Sequence, residues 1–157
     1  MKTVINDEAF LKKGFKISTD KSLLDFEMIY NYLSEESYWS KGITAEKVRI
    51  SIENSMCFGI YKDNEQIGFA RVVTDKAVFA YLCDVFVLDK YRGSGLSKWL
   101  LQTIIAHPDL QGLRRWLLAT ADAHGLYKQF GFTELNSPEN WMGIYTPFKR
   151  IKEISGK

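Results

Sequence analysis

A mixed α/β domain built on a largely antiparallel sheet is the architecture this sequence predicts, and three features predict it. β-branched and aromatic residues flank the turn formers Asp63-Asn64 as in a hairpin. The apolar run from Val78 to Leu88 gives way to the loop Asp89 to Gly95 and then to apolar residues of helical period, a strand–loop–helix unit. Apolar positions also recur at helical spacing in two stretches ahead of the hairpin, and antiparallel hairpins in mid-chain disfavour a repeating βαβ sheet. With 157 residues, 46% of them hydrophobic and 25% charged, the chain fits one domain spanning 1–157, and no repeat, low-complexity tract or Pro/Gly-rich linker marks a boundary. A chain of this size buries about 70% of its unfolded surface, enough for a core without metal or disulfide staples.

The elements follow in order. Phe15 to Ile17 read as a short first strand. Ser22 and Asp25 have the S-x-x-D spacing of a capping box, and Leu23, Phe26, Tyr30 and Leu33 then predict a helix that ends near Ser34 to Ser37. Thr44 reads as the cap of a second helix with Ala45, Val48 and Ile52 on one face. Cys57 to Tyr61 and Gln66 to Thr74 are the strands of the hairpin, and Val78 to Leu88, interrupted only by Asp84, is the central strand. Leu96, Trp99, Leu100 and Ile104 form a helix up to His107-Pro108. Arg115 to Thr120 reads as a further buried strand, Ala123 to Phe130 as a short helix stopped by Gly131, and Phe132 to Leu135 with Trp141 to Thr146 as closing strands.

Charge and cysteine usage narrow the function classes. Lysine and arginine total 21 against 19 acidic residues, and the basic residues are scattered, so no nucleic-acid partner is expected. Cys57 and Cys83 each sit in an apolar run, outside any C-x-x-C or Cys/His ligand spacing, and read as buried reduced thiols with no metal. Met1 to Lys13 lack the apolar core of about 7–15 residues that a signal peptide carries, and no apolar run approaches ~20 residues. No membrane partner and a cytoplasmic location are the expectations.

The glycine loop carries the chemistry. A loop that leaves a strand and opens a helix presents N–H groups without intrahelical acceptors at the positive end of the helix dipole, which makes an anion site. Glycine lets a phosphate approach the main chain, and Arg92 and Lys98 flank the loop with positive charge. A tight turn that happens to hold two glycines is the alternative. A P-loop needs G-x-x-x-x-G-K-[ST], which is absent, and a Rossmann loop needs glycine where Lys98 stands.

The stretch from Asp84 through Arg92-Gly93-Ser94-Gly95-Leu96-Ser97-Lys98 resembles the R-x-x-G-x-G/A signature of the GNAT superfamily of N-acetyltransferases, with Ser97 in the place usually held by glycine or alanine. A second stretch, Ala123-His-Gly-Leu-Tyr-Lys-Gln-Phe-Gly-Phe132, is similar to that family's A-x-x-L-Y-x-x-x-G-F helix and turn. The resemblance implies a GNAT-like fold, a central mixed, mostly antiparallel sheet flanked by helices, and acetyl-CoA as co-substrate without a metal. It implies that the backbone of Gly93, Ser94, Gly95, Leu96, Ser97 and Lys98, with Arg92, holds the diphosphate. It also implies that Val85, Phe86 and Val87 pair in strand fashion with the pantetheine arm across an open gap, one of their amides serving as oxyanion donor.

By the same resemblance Tyr127 is the acid for the departing thiolate, since a phenol of ordinary pKa ~10 keeps its proton at neutral pH. The alternative is a core aromatic. Some relatives carry a Glu-Asp pair ahead of the pantetheine strand, where this chain has Cys83-Asp84, so Asp84 is either the general base or a loop anchor, with strand alternation placing it on the face opposite Cys83 and Val85. Asp122 and His124 border the acceptor end of the cleft; His124 is a second candidate base or a structural residue. Thr120 stands where many relatives have a cofactor-touching asparagine. Tyr38-Trp39, between the two first helices, either cover the acceptor or plug the sheet.

With Asp75 and Asp122 as candidate neighbours, the acceptor is expected to be the primary amine of a small cationic molecule. The alternatives are a peptide or protein N-acetyltransferase, an acyl-CoA-binding sensor without transferase activity, and an interaction protein. The family resemblance leaves room for a homodimer.

Overall fold

Five strands form one sheet in the order β1 (Phe15–Ser18), β2 (Met56–Lys62), β3 (Glu65–Thr74), β4 (Phe79–Val87) and β5 (Arg115–Leu117), seen in a computed structural model that describes residues 5–148. The first four strands are antiparallel to their neighbours and β5 runs parallel to β4. The β2–β3 hairpin turns at Asp63 and Asn64, both with positive φ, as an Asx pair in a two-residue turn requires.

Helices cover both faces. On one lie α1 (Asp7–Lys12), α4 (Leu96–Ile105) and α5 (His124–Lys128), where Leu96, Trp99, Leu100, Leu101 and Ile104 of α4 pack on Phe58, Ile60, Val72, Ala80 and Leu82. The other face carries α2 (Phe26–Asn31) and α3 (Ala45–Glu53), with Ile29 and Val48 against Phe69 and Phe86. Burying such side chains stabilises the fold by roughly 1.5–3 kcal/mol each before chain entropy is counted.

Local chemistry sets the helix starts. Thr44 caps α3 as expected, its hydroxyl accepting from the Lys47 amide at 3.3 Å. The capping box at Ser22 is not formed: Asp20 caps a single 3-10 turn, and Asp25 caps α2 by accepting from Met28 N at 3.1 Å, so α2 starts three residues later than the spacing predicts. The chain continues from α2 through a π-turn at Tyr32–Glu36. Helix α1, capped by Asn6, has only one turn and a half and was invisible to periodicity.

Two further expectations are corrected. The strand predicted over 115–120 has only three paired residues and is half-buried, because β5 lies at the sheet edge. The closing strands at 132–135 and 141–146 do not form; these residues are irregular or extended and mostly exposed. Their alternation matches a strand, but neither segment pairs with the outer edge of β5, which Phe132 and Trp141 reach only through side-chain contacts with Trp116 and Arg115.

Candidate active site

The central strand holds the site through a register slip. Pairing runs Phe69↔Phe86 and then Arg71↔Cys83, so β4 carries one residue more than β3 across this interval. That bulge is at Asp84, whose φ of 54° lies in the left-handed region. Ala80 and Leu82 face the α4 side before the bulge and Val85 and Val87 face it afterwards, so the alternation slips by one. Asp84 therefore does not stand opposite a face shared by Cys83 and Val85, as unbroken alternation predicts.

Asp84 is buried and both its oxygens are taken. Arg71 Nε on β3 donates to Oδ2 at 2.8 Å and Trp39 Nε1 donates to Oδ1 at 3.0 Å, while Arg71 Nη1 donates to Ser55 Oγ at 3.0 Å. Burial alone would lower the pKa of Arg71, but the adjacent Asp84 carboxylate holds it above its ordinary value. Arg71 was missed by sequence reasoning. Its signal was indirect: an aspartate inside an apolar strand needs a cation, and the neighbouring strand of the hairpin supplies one.

Beside the bulge the sheet opens. β5 pairs with β4 only from Phe79↔Arg115 to Tyr81↔Leu117, and beyond Tyr81 the strands part, leaving Val85, Phe86 and Val87 without a partner strand on that side among the described residues. At the end of the gap comes the glycine loop. Gly93 and Gly95 have φ of 83° and 84°, and Gly95 caps α4 without a side-chain hydrogen bond. No acceptor among the described residues meets the amides from Gly93 to Lys98. A Cβ at Gly93 would meet nothing within 4 Å, so the face of the loop is open. These features fit a diphosphate.

Arg92 plays a different part from a free cation at the loop. Its Nε donates to Val87 O at 3.0 Å, one Nη donates to Tyr32 Oη at 2.9 Å, and the other pairs with Asp89 at 2.7 Å, which ties the loop to the end of β4 and to the helical cover. Tyr32 in turn stacks on Phe86 with ring centroids 3.8 Å apart. Lys98 is exposed and Ser97 half-buried on the first turn of α4.

The other wall comes from α5 and the loop before it. Tyr127 is half-buried among core aromatics, edge-on to Phe132. Burial first, and then the nearby Tyr38 hydroxyl and Asp122 carboxylate, push its phenol up to about 12. Tyr38, exposed, crosses from the α2–α3 connection to this loop: its hydroxyl accepts from Ala121 N at 2.9 Å and lies 3.5 Å from Asp122 Oδ1. Trp39 stands edge-on to Tyr38 and reaches Asp84. Thus Tyr38 joins Trp39 and Asp84 on one side to Asp122 and Tyr127 on the other, and His124 is exposed at the start of α5.

Two expected contributors lie elsewhere in function. Thr120 caps the loop into α5, its hydroxyl accepting from Ala123 N at 3.1 Å. Asp75 is committed to the β3–β4 turn, accepting from the amides of Ala77, Val78 and Phe79. Cys57 and Cys83 are free thiols, and burial pushes them up to about 11 and about 12. Among the described residues no helix is long and apolar enough to cross a membrane.

Residues 26–132, which include the bulge, the gap, the glycine loop and Tyr127, match the model of the Acetyltransferase (GNAT) family. The chain belongs to the GNAT family of acetyltransferases. A crystallised candidate acetyltransferase of that family from Xanthomonas campestris pv. campestris is 51% identical, with a TM-score of 0.84 over 85% of this chain and 94% of that one. A candidate acetyltransferase of Gibberella zeae is 29% identical over 131 residues, 71% of this chain and 73% of that protein. A GNAT-family acetyltransferase from Elizabethkingia anophelis, crystallised with acetyl-CoA bound, shares the fold at 16% identity, with a TM-score of 0.59 over 78% of each chain. As a GNAT acetyltransferase the chain is an acyltransferase of an acetyl-CoA-using fold.

Proposed function

We propose that this GNAT enzyme moves the acetyl group of acetyl-CoA to the primary amine of a small cationic molecule by direct attack. The observation that carries the reading is the meeting of two rows of main-chain groups at one gap: the amides of Gly93 to Lys98, which meet no acceptor among the described residues, and the β5-facing edge of Val85 to Val87, which has no partner strand and where Arg92 engages Val87 O. The first row holds a diphosphate at the positive end of α4; the second pairs with the amides of a pantetheine arm and supplies an N–H to the thioester oxygen. Acetyl-CoA supplies the activated acyl group and nothing in the chain need become acylated.

The remaining residues divide the work. The neutral amine attacks the carbonyl carbon, a C–N bond forms, and the C–S bond breaks. Tyr127 gives its proton to the departing sulfur; its burial keeps that proton in place at any working pH. The proton shed by the amine passes to water at the open mouth, where Asp122 and His124 are exposed. Asp84 acts as an anchor: with Oδ1 and Oδ2 both engaged, it holds the bulge that opens the gap and orients Trp39. Asp122 and the rings of Tyr38 and Trp39 give a cationic acceptor its partners.

The test is a panel of primary amines assayed by thiol release from acetyl-CoA. Cationic amines are the expected substrates, and Asp122→Asn raises their KM about tenfold, ~1.4 kcal/mol, while leaving a neutral amine unchanged. Turnover confined to peptide N-termini or to anionic amines would overturn the acceptor class.

A further inference from the structure

Glycine gives the loop between β4 and α4 its shape and also its freedom. Gly93 and Gly95, both at positive φ, have more backbone states open to them than other residues, so amides that converge on an anion must be kept convergent by their surroundings. Gly93 has no such support, because no atom lies within 4 Å of the place its Cβ would take. Ser94 adds one local bond, its hydroxyl donating to Tyr91 O at 2.8 Å, and Arg92 ties the loop to Tyr32 on the other face.

On the α4 face the support is a series of four rings. Tyr91 immediately precedes Arg92, and Trp99 lies one turn beyond Gly95, whose carbonyl accepts from Trp99 N at 3.1 Å. Phe15 of β1 and Phe10 of α1 join the two. Tyr91 meets Phe15 edge-on with centroids 6.2 Å apart, Phe15 meets Phe10 edge-on at 6.2 Å, and Phe10 stacks on Trp99 at 4.6 Å with the planes 8° apart. The series therefore begins ahead of the glycine loop and ends behind it. Phe10 Cζ is also 3.7 Å from the place a Gly95 Cβ would take, the one atom within 4 Å of it among the described residues.

Phe10 is itself held from α4. The Asp7 carboxylate accepts from Trp99 Nε1, and the Gln102 amide grips the main chain of Ile5, Oε1 accepting from Ile5 N at 2.7 Å and Nε2 donating to Ile5 O at 3.1 Å. A helix of six residues is not stable alone in water, and none of the residues of α1 is fully buried, so α1 adds little to the core. What it does add is the ring beside Gly95.

We propose that the segment from Ile5 to Phe15 is a positioning element of the cofactor site, in which Phe10, through Phe15 and Trp99, keeps the two ends of the loop at the spacing that makes the amides of Gly93 to Lys98 converge. The inference rests on the reading of those amides as a diphosphate cradle. Phe10 acts through the loop and not on the ligand: without its ring the amides diverge for part of the time, and the apparent affinity falls by the fraction that stays convergent. Two lost ring contacts leave roughly a tenth of the molecules convergent.

The test is calorimetric titration of CoA and of pantetheine, which lacks the diphosphate, into the wild type, Phe10→Ala and Phe10→Leu, with thermal melts of each. Phe10→Ala is expected to weaken CoA about tenfold and to leave pantetheine unchanged. Phe10→Leu, which keeps apolar bulk beside Gly95 without the stack, is expected to restore part of the affinity, staying about threefold weaker for CoA alone, and it decides the matter by itself if Phe10→Ala does not fold. A lower Tm with wild-type affinity for both ligands, or an equal loss for both, marks a merely structural ring and overturns the proposal. A wild type that does not prefer CoA to pantetheine overturns the diphosphate reading and this inference with it, whereas a preference that both variants retain in full overturns the positioning role alone.

Discussion

Trp39 Nε1 donates to Asp84 Oδ1 at 3.0 Å, which couples the connection between α2 and α3 to the one bulged residue of the central strand. Through Arg71 the same carboxylate is tied to β3, and through Tyr38, edge-on to Trp39, the connection is tied to the loop before α5. The two strands that part at the gap are therefore bridged over its top by side chains rather than by ladder hydrogen bonds. A ligand entering the gap meets a preset opening.

If Asp84 anchors this arrangement, Asp84→Asn leaves Arg71 as an uncompensated, largely buried cation. Breaking such a pair costs about 3 kcal/mol or more, on the order of 6–12 °C in Tm for a chain of this size. Adding Arg71→Met to Asp84→Asn removes the stranded charge and restores most of the loss. Thermal melts of the two singles and the double check this; a base without an anchoring role would lower turnover in Asp84→Asn with Tm unchanged.

Tyr127→Phe removes the proton donor and leaves the ring packing on Phe132 intact. The expected result is a fall in kcat of about 10²-fold or more with acetyl-CoA affinity unaltered, read by single-turnover thiol release and calorimetry. In the wild type, kcat shows no loss on the alkaline side from Tyr127 until pH nears about 12.

Tyr38→Phe strips the Ala121 amide of its acceptor and frees the loop that bears Asp122. One such hydrogen bond is worth roughly 1 kcal/mol, so KM for the acceptor rises about fivefold. The dissociation constant for CoA, whose contacts lie at the other end of the gap, stays where it was. Steady-state kinetics with varied amine at saturating acetyl-CoA separates the two.

Stability falls in alkali, and the buried acids give its window. Cys57 and Cys83 rise from 9.0 to about 11 and about 12, and Tyr61 and Tyr127 from 10.0 to about 12, in every case first through burial. Unfolded chains lose these protons from pH 9 upward while the folded chain keeps them, so the contribution is intact below pH 9 and is lost as pH rises through 11 to 12. Melting temperatures taken from pH 8 to 12 should decline from pH 9, and Cys83→Ala should flatten the first part of that decline.

Much of the site was legible because its signals are local. Asp63-Asn64 fixed the hairpin, and Gly93 and Gly95 marked the place where β4 leaves the sheet to open α4, since both need positive φ. The start of α2 was missed because Asp20 and Asp25 compete as caps within one turn, and the choice depends on Asp25 N reaching Gln66 Oε1 on β3 at 2.7 Å. The bulge at Asp84 was illegible for a related reason: an aspartate in the left-handed region of a strand is held there by Arg71 and Trp39, which lie 13 and 45 residues away. The closing strands were expected from alternation alone, which reports a face and not the edge that a strand will find.

The central claim, that the amides from Gly93 to Lys98 grip a diphosphate, is tested most directly by calorimetric titration of CoA and of pantetheine into the same protein. CoA should bind at micromolar concentration, roughly −8 kcal/mol, with pantetheine weaker by at least a hundredfold, and Gly93→Ala should erase most of the difference between them. Equal heats for the two ligands, or none for CoA at millimolar concentration, would contradict it.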